Sequence, residues 1–279
     1  MDISKLKVWK WVLLILGGTL FFLLVYSFGQ ISPYVSKIWW IKSLISIVSG
    51  LVILLVYYAA RKLIEKKRPS DLCNKNWAKD TAKGFLTGFL FMGITTLAIA
   101  IAGCYKVDSI GADWKNIIVY LMFFFIVACG EEVVFRGVIF RMIKERFNIW
   151  AALIVSALIF GFVHISNGGA TVWSSIAIAI EAGLLLGAAY LYSESLWMPI
   201  GIHWAWNFAE GNIFGFSVSG NEEMVSLLKP AINGPDIITG GAFGAEASIL
   251  CVILGTLMTV YFLYLFKKKN KSARSETQS

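Results

Sequence analysis

Charge is scarce in this sequence. Asp, Glu, Lys and Arg make up 15% of its 279 residues against 58% hydrophobic ones, too little polar surface for a soluble globule of this size. Histidine is scarcer still, with only two in the chain. The four cysteines, Cys73, Cys104, Cys129 and Cys251, lie far apart without a CxxC spacing, so neither a disulfide framework nor a zinc knuckle is indicated. No His-Glu-x-x-His run is present to build a helix-borne zinc site. A GxSG-type serine, which a rhomboid-like enzyme would pair with a histidine, is missing too. So are the short segments of alternating hydrophobicity that mark an outer-membrane barrel.

What the chain does have is long apolar runs, and about 20 apolar residues suffice to cross a hydrocarbon core as a helix. Eight candidates stand out: Trp11 to Phe28, Ile38 to Ala59, Gly84 to Ala102, Ile117 to Phe140, Trp150 to Ile165, Val172 to Tyr192, Leu196 to Phe216 and Ala247 to Phe266. The first follows a basic front, as in a signal sequence. It is long, however, and has no small-residue cleavage site, so it reads as a retained span. The expected fold is therefore all-α, a polytopic bundle forming one integral membrane domain over residues 1–279, without a soluble domain or a convincing internal repeat. The small-residue pairs Gly84/Gly88 and Gly183/Gly187 let helices approach closely.

The net charge of +8 could suggest nucleic acid, but its placement argues for topology. Lys5, Lys7 and Lys10, the stretch from Arg61 to Lys83, the turn with Arg141, Lys144 and Arg146, and the tail over 267–279 hold most of the basic residues. The alternate loops are nearly free of them. An even number of spans with both termini cytoplasmic satisfies the excess of Lys and Arg inside. No nucleic-acid partner is expected; membrane lipid is.

An ionisable side chain in the middle of a span costs at least about 2.5 kcal/mol on insertion scales, yet here several occur together. The fourth run, LMFFFIVACGEEVVFRGVIF, contains Glu131, Glu132 and Arg136. Glu132 and Arg136 are four apart, acid first, the favourable order for a helical ion pair. Glu131 is rotated away from that pair and is left as the candidate general base, since adjacent carboxylates in low dielectric cannot both ionise cheaply. The plainer alternative is a charged pair anchoring a helix end. The fifth run carries His164, four after Phe160. The seventh places His203 and Asn207 four apart on one face, where imidazole and amide can stabilise an oxyanion or merely bond neighbouring helices. That both histidines fall in spans beside other polar groups favours one joint site.

Glu131-Glu132-x-x-x-Arg136, Phe160-x-x-x-His164 and His203-x-x-x-Asn207, in this order over about residues 117–211, resemble the CAAX-processing and bacteriocin-processing (CPBP) intramembrane protease family, which includes lysostaphin-resistance and immunity-type proteins. The resemblance implies a glutamate-dependent endopeptidase without a cofactor, placed in a bacterial cell membrane. It implies that Glu131 activates water, His164 helps to hold it, His203 with Asn207 binds the oxyanion, and Glu132 with Arg136 supports the site. The implied substrate is a membrane-associated peptide or a lipid-modified protein. The first three runs and the last inherit nothing from it.

Alternatives stay open. Glu131, His164 and His203 could form a two-histidine, one-carboxylate zinc set. A non-catalytic regulator or immunity protein could use the polar cluster as architecture. A transporter would need a matching polar break in the first half, which is missing. Ideal helices put His164 roughly 10 Å further out than Glu131 and His203, so a break or displacement near Gly130 and Gly161 is expected. Glu181 is expected to make an interhelical bond or line a cavity, and Glu210 to be solvated at the interface.

Overall fold

The computed structural model describes residues 3–111, 113–221 and 225–278; the ends of the expected 1–279 domain and of the tail at Ser279 lie outside the described residues. Eight long helices are found among them: α1 (Val8–Ile31), α2 (Trp39–Glu65), α3 (Trp77–Ile101), α4 (Trp114–Arg146), α5 (Ile149–Ser166), α6 (Val172–Ser193), α7 (Trp197–Phe208, continued by a wide turn over Ala209–Ile213) and α8 (Ile249–Gln278). All but α7 are long and apolar enough to cross a membrane. The apolar runs thus become helices, each shifted by a few residues or extended into its flanking polar sequence.

α7 is the short central helix of the bundle, and nearly every residue from Met198 to Phe208 is buried. Its polar side chains cannot face lipid, where they would lack partners, so the other helices enclose it. Glycine makes the closest of these contacts. A methyl group on Gly84 or Gly88 of α3 would collide with the carbonyl oxygens of Met198 and Ile202, and one on Gly201 of α7 with that of Thr81. The expected close approach at Gly84/Gly88 is therefore realised, backbone against backbone. Gly183 of α6 packs in the same way on Ala157 of α5.

The two ends of the bundle differ in chemistry. At one end a buried ionic network ties the basic segments together. Arg141 bonds Glu65 (2.6 Å) and Glu145 (3.0 Å), and Arg61 pairs with Glu65 (2.9 Å). Tyr57 and Tyr190 both donate to Asp71 Oδ2, at 2.8 and 2.9 Å, and Arg146 donates to the Leu6 carbonyl. At the other end two of the connecting segments form a small antiparallel sheet. β1 (Tyr105–Ile110) pairs with β2 (Leu228–Ile232) from Tyr105↔Ile232 to Ile110↔Leu228, with an irregularity between Val107 and Ser109. Asn167 Nδ2 donates to the Ser219 carbonyl (2.9 Å), fastening the α5–α6 turn to the segment after α7.

The expected helix breaks occur beside the two glycines, not at them. α4 runs on through Gly130, Glu131 and Glu132 and then widens into π-helical turns over Val133–Phe140, while α5 tightens to a 3₁₀ turn at His164–Ser166. Such changes of helical type commonly mark functional positions. Gly130 and Gly161 instead provide room: a methyl group there would meet the Tyr26 ring and the Ser175 carbonyl, respectively.

Candidate active site

α4, α5 and α7 bring Glu131, His164, His203 and Asn207 to the wall of one cavity of about 570 Å³, with Glu132 and Arg136 buried outside its lining. The ion pair implied by the four-residue spacing forms: Arg136 Nη1 donates to Glu132 Oε1 at 2.8 Å. Arg136 is fully buried and its other terminal nitrogen donates to the carbonyls of Gly183 (3.0 Å) and Ala182 (3.3 Å). These carbonyls lie in a wide turn of α6, Ala179–Leu184. The guanidinium also covers the Phe160 ring, 5.0 Å from its centroid.

Glu132 has a second partner that spacing could not reveal. Its Oε1 lies 2.9 Å from His203 Nδ1, so one carboxylate oxygen holds both the arginine and the imidazole. An arginine-paired carboxylate only accepts hydrogen bonds, so Nδ1 carries the proton and Nε2 points away from Glu132. On that other side Glu131 Oε2 is 3.8 Å from His203 Nε2, too far for a direct hydrogen bond. Glu131 Oε2 is buried and has no hydrogen-bond partner.

Glu131 is not free of partners altogether. Tyr26 of α1 donates to its Oε1 (3.0 Å) and in turn accepts from Gln30 (2.8 Å). The first helix, from which nothing was expected, thus supplies the nearest support to Glu131. A signal was present, since Tyr26 and Gln30 are polar residues four apart within an apolar run and share a face. Gly130→Ala should push the Tyr26 ring off Glu131, because the added methyl meets the ring at Cδ2. The expected result is about 1–3 kcal/mol of overpacking strain, read as a lower melting temperature of the purified variant.

His164 sits where α5 ends, and its Nδ1 lies 2.7 Å from the Phe160 carbonyl. A carbonyl cannot donate, so Nδ1 bears a proton, and in the neutral ring this tautomer presents Nε2 as an acceptor. The Phe160 ring separates the two imidazoles, with centroid distances of 4.8 Å to His164 and 6.2 Å to His203. Asn207, one turn beyond His203, also lines the cavity. Among the described residues no group of three His, Cys, Asp or Glu side chains is arranged to hold a metal ion. Glu131, His164 and His203 all line the cavity.

The remaining acids depart from expectation in one case. Glu210 is fully buried instead of solvated: its carboxylate accepts from Trp206 Nε1 (3.3 Å) and from the Glu246 backbone (3.2 Å). Glu181 is buried as well and takes the Cys251 thiol at 3.7 Å, an interhelical contact to α8. Glu246, missed from sequence, folds inward just before α8, lines the cavity and accepts from the Ser219 backbone and hydroxyl at 3.0 and 2.7 Å. Burial raises its carboxyl pKa, against the Ser219 hydrogen bonds that lower it.

Fold and site together define an integral membrane protein with a glutamate–histidine cavity inside its helical bundle. Residues 113–209 match the family model described as Rce1-like, type II CAAX prenyl endopeptidase Rce1-like. This stretch, from the start of α4 to the end of α7, is similar to that CAAX-type protease family, as the three motifs suggested. It contains every site residue named from sequence, but neither Tyr26 nor Glu246. No curated protein and no solved structure gives a significant match to the chain.

Proposed function

We propose that the protein is an intramembrane endopeptidase in which Glu131 activates water for attack on a peptide carbonyl. The observation that carries this reading is Glu131 Oε2, buried, unpartnered and facing His203 Nε2 across 3.8 Å at the wall of the cavity. A carboxylate oxygen without a protein donor is free to accept a hydrogen bond from water and to take its proton.

In this mechanism water is held between Glu131 Oε2 and the acceptor Nε2 of His164. Glu131 takes a proton and the resulting hydroxide adds to the carbonyl carbon. The oxyanion is met by the Asn207 amide and by His203, whose Nε2 donates when it carries a second proton. Preorganised donors of this kind supply the largest single contribution in many enzymes. Collapse breaks the carbon–nitrogen bond as the proton on Glu131 passes to the departing amine. Glu132 and Arg136 do not touch the substrate; they fix the His203 ring. The tyrosine hydroxyl of Tyr26 orients Glu131. The substrate is a membrane-associated peptide or a lipid-modified protein, and no step is routed through a metal.

Comparative peptidomics of cells carrying wild-type or Glu131→Gln protein tests the proposal. A defined set of cleavage products should vanish in the variant. Identical peptide profiles, with the variant complementing loss of the protein, would instead establish a non-catalytic membrane regulator.

A further inference from the structure

The cavity reaches the surface among polar residues at the end of the bundle where basic residues are few. From Glu131 the cavity runs past His164 to Asn167, Asn221 and Tyr34, of which Tyr34 and Asn221 are exposed. None of its lining residues comes from the Arg61–Lys83 segment, the turn after α4 or the C-terminal tail. At that opposite end the bundle is closed by the network in which Tyr57 and Tyr190 hold Asp71 and Arg141 holds Glu65.

Sidedness follows from where the cations sit. The mouth end has Lys37, Lys106 and Lys229 in its loops and Lys42 and Lys115 in the first turns of α2 and α4. Apart from the buried Arg136, the other lysines and arginines of the described residues sit on elements at the closed end. An excess of Lys and Arg in short loops marks the cytoplasmic face. We infer that the cavity opens on the extracytoplasmic side and takes as substrate a peptide segment presented from that side, not a lipid-modified C-terminus in the cytoplasm. Its substrate clause rests on the hydrolytic reading above; the sidedness does not.

A second feature fits such a substrate. Leu23 of α1 and Ile159 and Val163 of α5 line the cavity and stay exposed, at 38%, 37% and 49%. The cavity therefore has an apolar flank formed by α1 and α5 beside its polar mouth. A peptide anchored in the bilayer can keep its apolar part in lipid while the adjoining extracytoplasmic stretch reaches Glu131.

Two native thiols make the test direct. Cys104 lies at the mouth end beside β1 and Cys73 in the basic segment at the closed end, both partly exposed, while Cys129 and Cys251 are buried. In intact cells producing the full chain with a single cysteine, a membrane-impermeant maleimide should label Cys104 and leave Cys73 unlabelled until the membrane is permeabilised. In a background without Cys73 and Cys104, Asn221→Cys should be labelled from outside. The more exposed pair Tyr34→Cys and Leu63→Cys repeats the comparison where a native thiol reacts slowly. Labelling of Cys73 or Leu63→Cys in intact cells, with the mouth-end thiols protected, would overturn the orientation. Labelled Cys104 with protected Asn221→Cys and Tyr34→Cys would overturn the open mouth. Labelling does not depend on turnover, so it gives the same answer in Glu131→Gln protein and separates this inference from the proteolytic one. The products lost in that variant should come from extracytoplasmic segments; products cut from cytoplasmic tails would overturn the substrate side.

Discussion

Glu131→Gln protein, purified and supplied with a cleaved peptide, is expected to turn over on the order of 10⁴-fold more slowly than wild type, equivalent to about 5.5 kcal/mol in the barrier. In the proposed mechanism the substitution removes the base and almost nothing else. Glutamine keeps an oxygen to accept the Tyr26 hydroxyl, which now meets Glu131 Oε1 at 3.0 Å, and it preserves side-chain volume beside Val127 and Val134 on the cavity wall. The melting temperature should therefore stay close to that of wild type, and a matched pair of turnover and unfolding measurements separates chemistry from folding. Persistent turnover at the wild-type rate would remove Glu131 from the role of base.

The second large effect is on stability. Arg136→Met should destabilise the protein by about 3–5 kcal/mol, because removing one partner of a buried pair leaves the other charge uncompensated. Here the stranded group is Glu132, fully buried, with His203 as its remaining partner. The carbonyls of Ala182 and Gly183 lose their donor at the same time. Arg136→Lys does not rescue, since a single ammonium cannot reach Glu132 and both carbonyls as the planar guanidinium does. Adding Glu132→Gln to Arg136→Met should recover a large part of the lost stability while cleavage stays low, because the amide no longer holds His203 as a carboxylate does. Thermal unfolding of the two single variants and the double variant measures this coupling. Strictly additive losses would show that the charge of Glu132 is not what Arg136 neutralises.

The parts of the fold that sequence revealed are those governed by local periodicity. Apolar length gave the helices, four-residue spacing gave the Glu132–Arg136 pair, and paired glycines gave the tight contacts of α3 with α7 and of α6 with α5. Contacts between distant segments were not legible in the same way. Tyr26 and Glu131 are separated by 105 residues, and no pattern within α1 says which helix its tyrosine will meet. Glu132 was assigned one partner because helical spacing reports only neighbours on its own helix; His203 comes from α7. Glu210 reads as interfacial from its place near the end of an apolar run, yet the chain after α7 folds back over it and Glu246 donates to it from the backbone. β1 and β2 are not legible because Lys106, Asp108 and Lys229 break any apolar run, and the pairing joins segments more than 100 residues apart.

The wide turn that follows Glu132 also divides α4 into two angular frames. Over Val133–Phe140 the helix takes in more residues per turn than an α-helix does, so the residues on either side of it are out of phase with one another. The half bearing Glu131 and Glu132 can be aimed at the cavity while the half bearing Arg141 and Glu145 is aimed at the ionic network, neither orientation fixing the other. A helical wheel drawn through all of α4 therefore smears two separate polar faces into one. The rotation needed to serve both ends of the molecule is built into the backbone instead.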